Sequence, residues 1–158
     1  MLFVIPAFCQ KLSKEEKAAI AKAAYEKALT SIQSRSFVLV PSQYTDRDGA
    51  IQPNTDNSEF FSVEGKDIFI QGRIVCNNNY TNIAEATEYD CTVDKKGNIK
   101  LRIIVLGRQI KGTYNFNLRA NSNVANVIYT PPTGGTKKFS GEIVPLAEAS
   151  YNKRSNPM

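Results

Sequence analysis

Histidine and tryptophan are absent from this sequence of 158 residues, and cysteine occurs only three times. The lack of histidine excludes His-based acid–base catalysis, Ser-His-Asp and Cys-His nucleophiles, and zinc sites that contain histidine. No stretch approaches the roughly 20 apolar residues that a membrane-spanning helix needs. We therefore predict a protein without a transmembrane segment, and we expect it to be neither an enzyme nor a cofactor carrier.

The composition is that of a globular protein, with 42% hydrophobic and 22% charged residues. Its 20 Lys and Arg residues exceed its 15 Asp and Glu residues by five. The basic residues are scattered, however, and do not form a stripe beside stacking aromatic residues, as is usual in nucleic-acid-binding proteins. We interpret the charge as a solubility feature and expect no nucleic-acid partner.

The first residues, MLFVIPAFCQ, form a short apolar run that ends in AFC. Small residues three and one positions before a cleavage point are typical of a secretory signal peptide, although the positively charged start of such a peptide is missing. We predict a signal-peptide remnant at 1–9, a single domain at 10–158, and a periplasmic or envelope-associated (extracytoplasmic) location. Two alternatives stay open. One is lipidation of Cys9, which Phe8 disfavours, and the other is an ordinary apolar N-terminal strand.

The segment 13–34 predicts the one clear helix of the chain. Ser13 and Glu16 have the spacing of a capping box. An apolar face follows with helical spacing, formed by Ile20, Ala24, Ala28 and Ile32. Because this face is narrow and rich in alanine, we expect the helix to pack on the protein's own sheet. A partner-binding or membrane-surface helix is the alternative.

After the helix, runs of β-branched and aromatic residues alternate with turn sequences. The alternation is clearest at 110–119, where one face is formed by Ile110, Gly112, Tyr114, Phe116 and Leu118. About eight such strands joined by short turns make an antiparallel meander, whose edges must be closed or covered. We predict a mainly β fold, either a lipocalin-like barrel or a strongly curved sheet, with the N-terminal helix packed against it. The polar tail after Ala149 is expected to be frayed.

Several segments together resemble a known family: the helix running into SRSFVLV, then NTDNSEFFSVEGKDIFIQ, DKKGNIKLRIIVLG, VANVIY and the closing FSGEIVPLAEASYNKR. Over residues 13–155 the chain is similar to domain of unknown function family 4251, which consists of small secreted proteins from Gram-negative, largely gut-dwelling bacteria. The resemblance implies an extracytoplasmic location and an all-β body with an N-terminal helix. It implies no activity and no functional residues.

Two cysteines enclose the segment CNNNYTNIAEATEYDC at 76–91. Their spacing differs from the paired CxxC of zinc and redox sites. If strands 66–76 and 85–93 form a hairpin centred between residues 83 and 84, Cys76 lies opposite Cys91. Cross-strand neighbours are close enough for a disulfide in an oxidising compartment. We predict a Cys76–Cys91 disulfide, with two buried free thiols as the alternative.

Strict alternation of strand direction would gather the connections at two ends of the sheet. One end, which we call the loop end, would receive the connections at 77–84, 107–109 and 131–135. The other would receive those at 94–98 and 119–123. Ligands usually bind at loop-bearing ends and barrel mouths. We therefore predict that a ligand would contact Asn78, Asn79, Tyr80 and Thr133 at the loop end; a decorated but inert loop end is the alternative.

Two acidic clusters are candidate chemical sites. The first is an oxygen-rich loop formed by Asp46, Asp48, Asn54, Asp56 and Asn57, which lacks the spacing of an EF-hand calcium site. The second, Glu85, Glu88 and Asp90, could serve sugar hydrolysis only at a separation that the sequence does not fix. We predict no metal site.

The leading functional hypothesis is a non-enzymatic extracytoplasmic domain that binds a small ligand or an envelope partner. Its sign would be an apolar barrel interior that opens at the loop end. One alternative is a structural or interaction protein of the envelope with a filled interior. The other is a hydrolase that uses paired carboxylates.

Overall fold

The computed structural model describes residues 11–155 and Pro157, which contain one long helix, nine strands and a short 3-10 turn. Helix α1 spans Lys14–Gln33. The strands are β1 Ser36–Thr45, β2 Ile51–Pro53, β3 Phe60–Glu64, β4 Asp67–Gln71, β5 Thr81–Val93, β6 Ile99–Gly107, β7 Lys111–Leu118, β8 Val124–Thr130 and β9 Lys137–Pro145, and the turn is Leu146–Glu148. The signal-peptide remnant predicted at 1–9, including Cys9, lies outside the described residues.

Eight of the nine strands form a closed antiparallel barrel. Each strand from β3 to β8 pairs with the next in the chain, β1 pairs with β3, and β9 returns to pair with β1. The closing pairs run from Phe37 and Pro145 to Tyr44 and Phe139. Strand β2 is an addition that pairs with the far end of β1. The predicted barrel with an N-terminal helix is confirmed, and the ring has no open edge.

Side chains fill the interior of the barrel. Alternate residues of the strands point inward, and the predicted row on β7 is confirmed by the burial of Tyr114, Phe116 and Leu118. Aromatic rings meet in the middle, with centroids 4.7 Å apart for Phe61 and Tyr114 and 5.9 Å apart for Phe37 and Phe116. Burying each such ring contributes about 1.5–3 kcal/mol. The same rings occupy the space that a lipocalin-type ligand would need.

Strand β5 changes its inward phase at a β-bulge. Its pairing with β6 shifts between Ala86 and Glu88, so that Thr87 is the extra residue. Ala86 packs against the core before the bulge, and Tyr89 and Cys91 pack against it after the bulge. Glu88 is left on the outer face, where it forms an ion pair with Arg102 of β6.

The C-terminal half of α1 closes one end of the barrel. Ser13 and Glu16 form the predicted capping box, and Ile32 near the C-terminus of the helix is fully buried. The Tyr89 hydroxyl donates a hydrogen bond of 2.5 Å to the Ile32 carbonyl oxygen. Ile20, predicted to lie on the packed face, is 56% exposed and borders a groove between α1 and β9 instead of entering the core. Within the described part of the chain, no helix combines the length and apolarity needed to cross a bilayer.

The C-terminal tail is anchored to the barrel, so the prediction that it is frayed was wrong. Residues 149–155, which we call the strap, cross the outer face of β3 and β4. The ring of Tyr151 packs edge-on to Phe60 with centroids 4.8 Å apart, and its hydroxyl donates to Glu64 at 2.8 Å. Lys153 forms an ion pair of 2.6 Å with Glu64 and stands 3.6 Å above the Phe69 ring.

A buried glutamine fixes the strap in register. Gln71 is fully buried at the end of β4. Its side-chain nitrogen donates to the Asn152 carbonyl oxygen at 2.8 Å, and its side-chain oxygen accepts from the Arg154 backbone nitrogen at 2.9 Å. An unpaired buried amide would cost about 1–3 kcal/mol, so these bonds select one position of the strap.

Replacing Tyr151 with alanine should lower the free energy of unfolding by about 2 kcal/mol, since an aromatic contact and a hydrogen bond to a carboxylate are both lost. Tyr151→Phe, which keeps the ring, should lose about half as much. Chemical denaturation measures both values. Tyr80→Ala is the matched control, because Tyr80 is 51% exposed. Equal effects of Tyr151→Ala and Tyr80→Ala would contradict an anchored strap.

Candidate functional site

The hairpin of β4 and β5 has a different register from the predicted one. Pairs run from Asp67 and Glu85 to Gln71 and Thr81, which places Cys76 midway along the connection. The predicted centre between residues 83 and 84 was wrong because residues 72–76 leave the sheet and form a turn. The backbone nitrogen of Cys76 closes this turn with a 2.9 Å bond to the Gly72 carbonyl oxygen.

Cys76 and Cys91 are free thiols; Cys76 lies in the connection before β5, and Cys91 lies near the C-terminal end of that strand. At about 3.3 Å per residue, Cys91 lies roughly 30 Å along β5 from Thr81, the end of the strand next to the connection with Cys76. A disulfide requires Cα atoms within about 7 Å. The predicted disulfide is therefore wrong in this fold. Burial raises the pKa of the Cys76 thiol to about 11. Burial, and then the charge of Asp90, raise the pKa of Cys91.

Both thiols should react slowly with iodoacetamide at pH 8 while the protein is folded, because the reactive thiolate is scarce at raised pKa values. Cys76, which is fully buried, should be the slower of the two. Peptide mapping by mass spectrometry under non-reducing conditions, with and without denaturant, gives both the rates and the connectivity. A linked peptide pair containing Cys76 and Cys91 would contradict the free-thiol structure.

The turn at 72–76 plugs the barrel at the loop end. Val75 and Cys76 are fully buried there, and the Tyr114 hydroxyl donates to the Val75 carbonyl oxygen at 2.8 Å. The Tyr114 and Tyr129 rings stack with centroids 4.4 Å apart beneath this turn. The apolar interior is therefore capped at the end where the leading hypothesis expected it to open.

The four predicted ligand residues lie in two connections at the loop end. The Asn78 side chain holds the loop end together. Its nitrogen donates to the Asn82 side-chain oxygen at 3.0 Å and to the Gln109 carbonyl oxygen at 3.3 Å. Tyr80 and Asn79 are exposed beside it. Thr133 is exposed in the connection between β8 and β9, and no hydrogen bond among the described residues joins it to the other three. Binding of a ligand by these four residues stays a prediction.

A pocket of about 260 Å³ lies at the loop end, and we call it the mouth pocket; none of the four predicted ligand residues lines it. Its lining includes Tyr44, Asp46, Arg47, Arg73, Ile74 and Lys137. The cationic residues come from three places: the turn after β1, the turn after β4 and the start of β9. The mouth pocket therefore gathers three positive charges that are far apart in the sequence.

Asp46 fixes the turn that carries Arg47. One carboxylate oxygen accepts from the backbone nitrogens of Asp48 at 3.0 Å and Ala50 at 2.9 Å, and the other accepts from the Gln52 side chain at 2.7 Å. The bond from Gln52, followed by that from Ala50, lowers the pKa of Asp46. This carboxylate is thus used to hold its own loop.

Glu59 fixes the turn that carries Arg73. Its carboxylate is half-buried, and one oxygen accepts from the Ile74 backbone nitrogen at 3.0 Å. Gly72 has φ +105°, and a Cβ there would lie 1.9 Å from the Glu59 oxygen, so the turn requires glycine. Desolvation raises the pKa of Glu59, although the backbone bonds from Ile74 and Arg73 oppose the shift.

Glu59→Gln should match or exceed the wild type in stability at pH 7, because the amide oxygen can accept the Ile74 backbone bond without the cost of a half-buried charge. Since the pKa of Glu59 is raised in the folded state, wild type regains that cost as pH falls through the folded pKa, so the advantage of glutamine should shrink on acidification. Glu59→Ala should cost about 2 kcal/mol at pH 7 by orphaning backbone donors. Denaturation curves at several pH values measure these differences. A growing advantage of glutamine at low pH would contradict the assignment.

The carboxylates considered for sugar hydrolysis do not meet. Glu85 and Asp90 are exposed on β5, and Glu88 is paired with Arg102 on the outer face. Between residues 11 and 155, no group of three or more acidic or cysteine side chains could hold a metal ion. The side chains of the oxygen-rich loop instead accept hydrogen bonds from nearby backbone, such as that from Ser58 to Asp56 at 2.9 Å.

Larger grooves of about 510 and 420 Å³ run along α1, away from the loop end. An ion pair of 2.9 Å between Lys27 and Glu148 stands among their lining residues. Its charges neutralise each other, and the pair is half exposed, so it contributes little. The remaining lining of the grooves consists mostly of small and apolar side chains, with the exposed carboxylate of Glu142 in the smaller groove.

The fold defines a filled β-barrel domain with an N-terminal helix across one end. A solved structure with this fold is that of a DUF4251 family protein from Bacteroides eggerthii, with a TM-score of 0.72 and 22% sequence identity over 84% of this chain and 94% of that chain. The resemblance found in the sequence is thus confirmed at the level of the fold. No protein-family model matches the sequence, and no curated protein matches it.

The mouth pocket was not predicted from the sequence. Its three cations lie after β1, after β4 and at the start of β9, and their proximity depends on barrel closure. One signal was present: strand alternation places the turn at 46–50 at the loop end, together with the connections after β4 and β8. Applying that rule to the first strand would have brought Arg47 into the candidate site.

Proposed function

We propose that this protein is an extracytoplasmic, non-enzymatic binding domain whose barrel is a filled scaffold and whose ligand or envelope partner binds outside it, at the loop end. The filled interior carries the proposal. Aromatic rings occupy the centre of the barrel, and Val75 and Cys76 plug its mouth. Because the interior has no room for a ligand, we expect binding outside the barrel, at the loop end.

Three further observations support this function. The loop end carries the mouth pocket and the exposed Tyr80 ring, an amphipathic group often used in recognition. Its turns are held by Asp46 and Glu59, so contact residues start from fixed backbones, which reduces the cost of binding. The apolar AFC-ending start of the sequence favours an extracytoplasmic location.

A second candidate is a structural or interaction protein of the envelope that uses the helix rather than the loop end. Ile20 is 56% exposed and lines the groove of about 420 Å³ between α1 and β9. The groove would then supply the contact surface, with Ile20 in its lining. The same filled barrel would then act as a rigid support.

A thermal-shift screen of the full chain against envelope sugars, lipids, organic anions and metal ions tests the proposal. A ligand at ten times its Kd should stabilise the fold by roughly 1.4 kcal/mol. We expect the shift to be reduced in Tyr80→Ala or in Arg73→Gln and retained in Ile20→Ala. Loss of the shift in Ile20→Ala alone would favour the second candidate, and no shift with any class would contradict ligand binding.

A further inference from the structure

We propose that the mouth pocket binds a small organic anion, with a carboxylate or phosphate head beside a short apolar or aromatic group. This inference rests on the proposed function, because it names the ligand class of the loop end. It is carried by the juxtaposition of Arg47, Arg73 and Lys137 around one recess of about 260 Å³.

The three cations have no acidic partner that neutralises them. Ion pairs within the described residues are formed by other side chains and include none of the three. Like charges around one recess repel each other, and a bound anion relieves that repulsion. Arginine presents a planar fork that matches carboxylate and phosphate oxygens, and lysine adds a compact charge.

Asp46, the acidic residue of the lining, offsets only part of this charge. Its two oxygens already accept bonds from Asp48, Ala50 and Gln52 within its own loop. The recess therefore has three cationic side chains against one carboxylate that is already engaged. Such an excess favours anions over neutral or cationic ligands.

The floor of the mouth pocket favours an apolar or aromatic group in the part of the ligand beside the anionic head. Tyr44 and Ile74 are half-buried and pack against the core, so they offer an apolar surface beneath the cations. Drug-sized ligands occupy pockets of about 300–1,000 Å³, and the mouth pocket is slightly smaller. A single ring or short chain with one anionic head matches both the volume and the lining.

The cations stand on backbones that are fixed before any ligand arrives. Arg47 lies in the turn held by Asp46, and Arg73 in the turn held by Glu59. Lys137 is paired with Tyr129 at the start of β9. Binding then orders side chains rather than loops, which keeps its entropic cost low.

Titration calorimetry on the full chain with phenyl phosphate and benzoate tests the proposal, with phenol as the neutral counterpart and inorganic phosphate as the head alone. We expect at least one of the two aromatic anions to bind, phenol not to bind, and inorganic phosphate to bind more weakly. Affinity should fall as NaCl rises from about 20 mM to about 500 mM, since salt screens the charges. Absence of binding by both aromatic anions, or equal binding of phenol, would overturn the anion assignment.

Variants locate the site. Arg47→Gln, Arg73→Gln and Lys137→Gln should each weaken binding by about tenfold, while unfolding curves without ligand stay close to wild type. Arg108→Gln is the matched control, because Arg108 is exposed in the connection between β6 and β7 and does not line the pocket. Equal weakening by Arg108→Gln, or none by the three lining variants, would overturn the location.

The outcomes separate this inference from the function on which it rests. A neutral ligand whose binding is lost in Tyr80→Ala but kept in Arg73→Gln would overturn the anion pocket and leave loop-end binding intact. A ligand lost in Ile20→Ala and kept in all loop-end variants would overturn the proposed function itself. Binding of a lipid with a phosphate head in vesicles, but not of phenyl phosphate, would overturn the small-molecule class.

Discussion

The pairing of β1 with β9 is the constraint on which the rest of the molecule depends. It joins residues that are about a hundred positions apart and converts a meander with two exposed edges into a ring. The same pairing brings the C-terminal end of β9 beside the start of β1, where α1 packs across both strands. At the opposite end it brings the turn after β1 close to the start of β9, so that Arg47 and Lys137 can line one pocket.

Aromatic packing inside the ring determines where binding can occur. In a barrel of eight strands the interior is just wide enough for side chains or for one small ligand, and Phe37, Phe61, Tyr114 and Phe116 use that space. The interior therefore contributes stability, and recognition is left to the connections. This division of labour is common in domains whose loops stand on a rigid scaffold.

Sequence patterns correctly predicted the elements that depend on neighbouring residues in the chain. They were wrong for segments whose conformation depends on contacts with residues far away in the sequence. The capping box of α1 and the alternation on β7 depend on spacing alone, and both are present as expected. The apolar run ending at Cys76 has the composition of a strand. Its last part, residues 72–76, instead forms a turn, because the Glu59 carboxylate accepts a hydrogen bond from the Ile74 backbone and Gly72 adopts a positive φ. The disulfide prediction depended on that strand and was wrong with it. The prediction of a frayed tail was wrong for the same reason. The strap is held by Gln71, which is far from it in the sequence and which the strap itself helps to bury.

The strap also divides the molecule into parts of unequal local stability. It is held to β3, β4 and Asn57 mainly by side chains and contributes no strand to the ring, so its detachment would keep every pairing of the barrel. Amide groups that the strap covers would then exchange with solvent by a local opening, at a lower free energy than those of the ring. A protease that cuts in the opened strap would leave a closed barrel with Phe60 and Phe69 uncovered on its outer face.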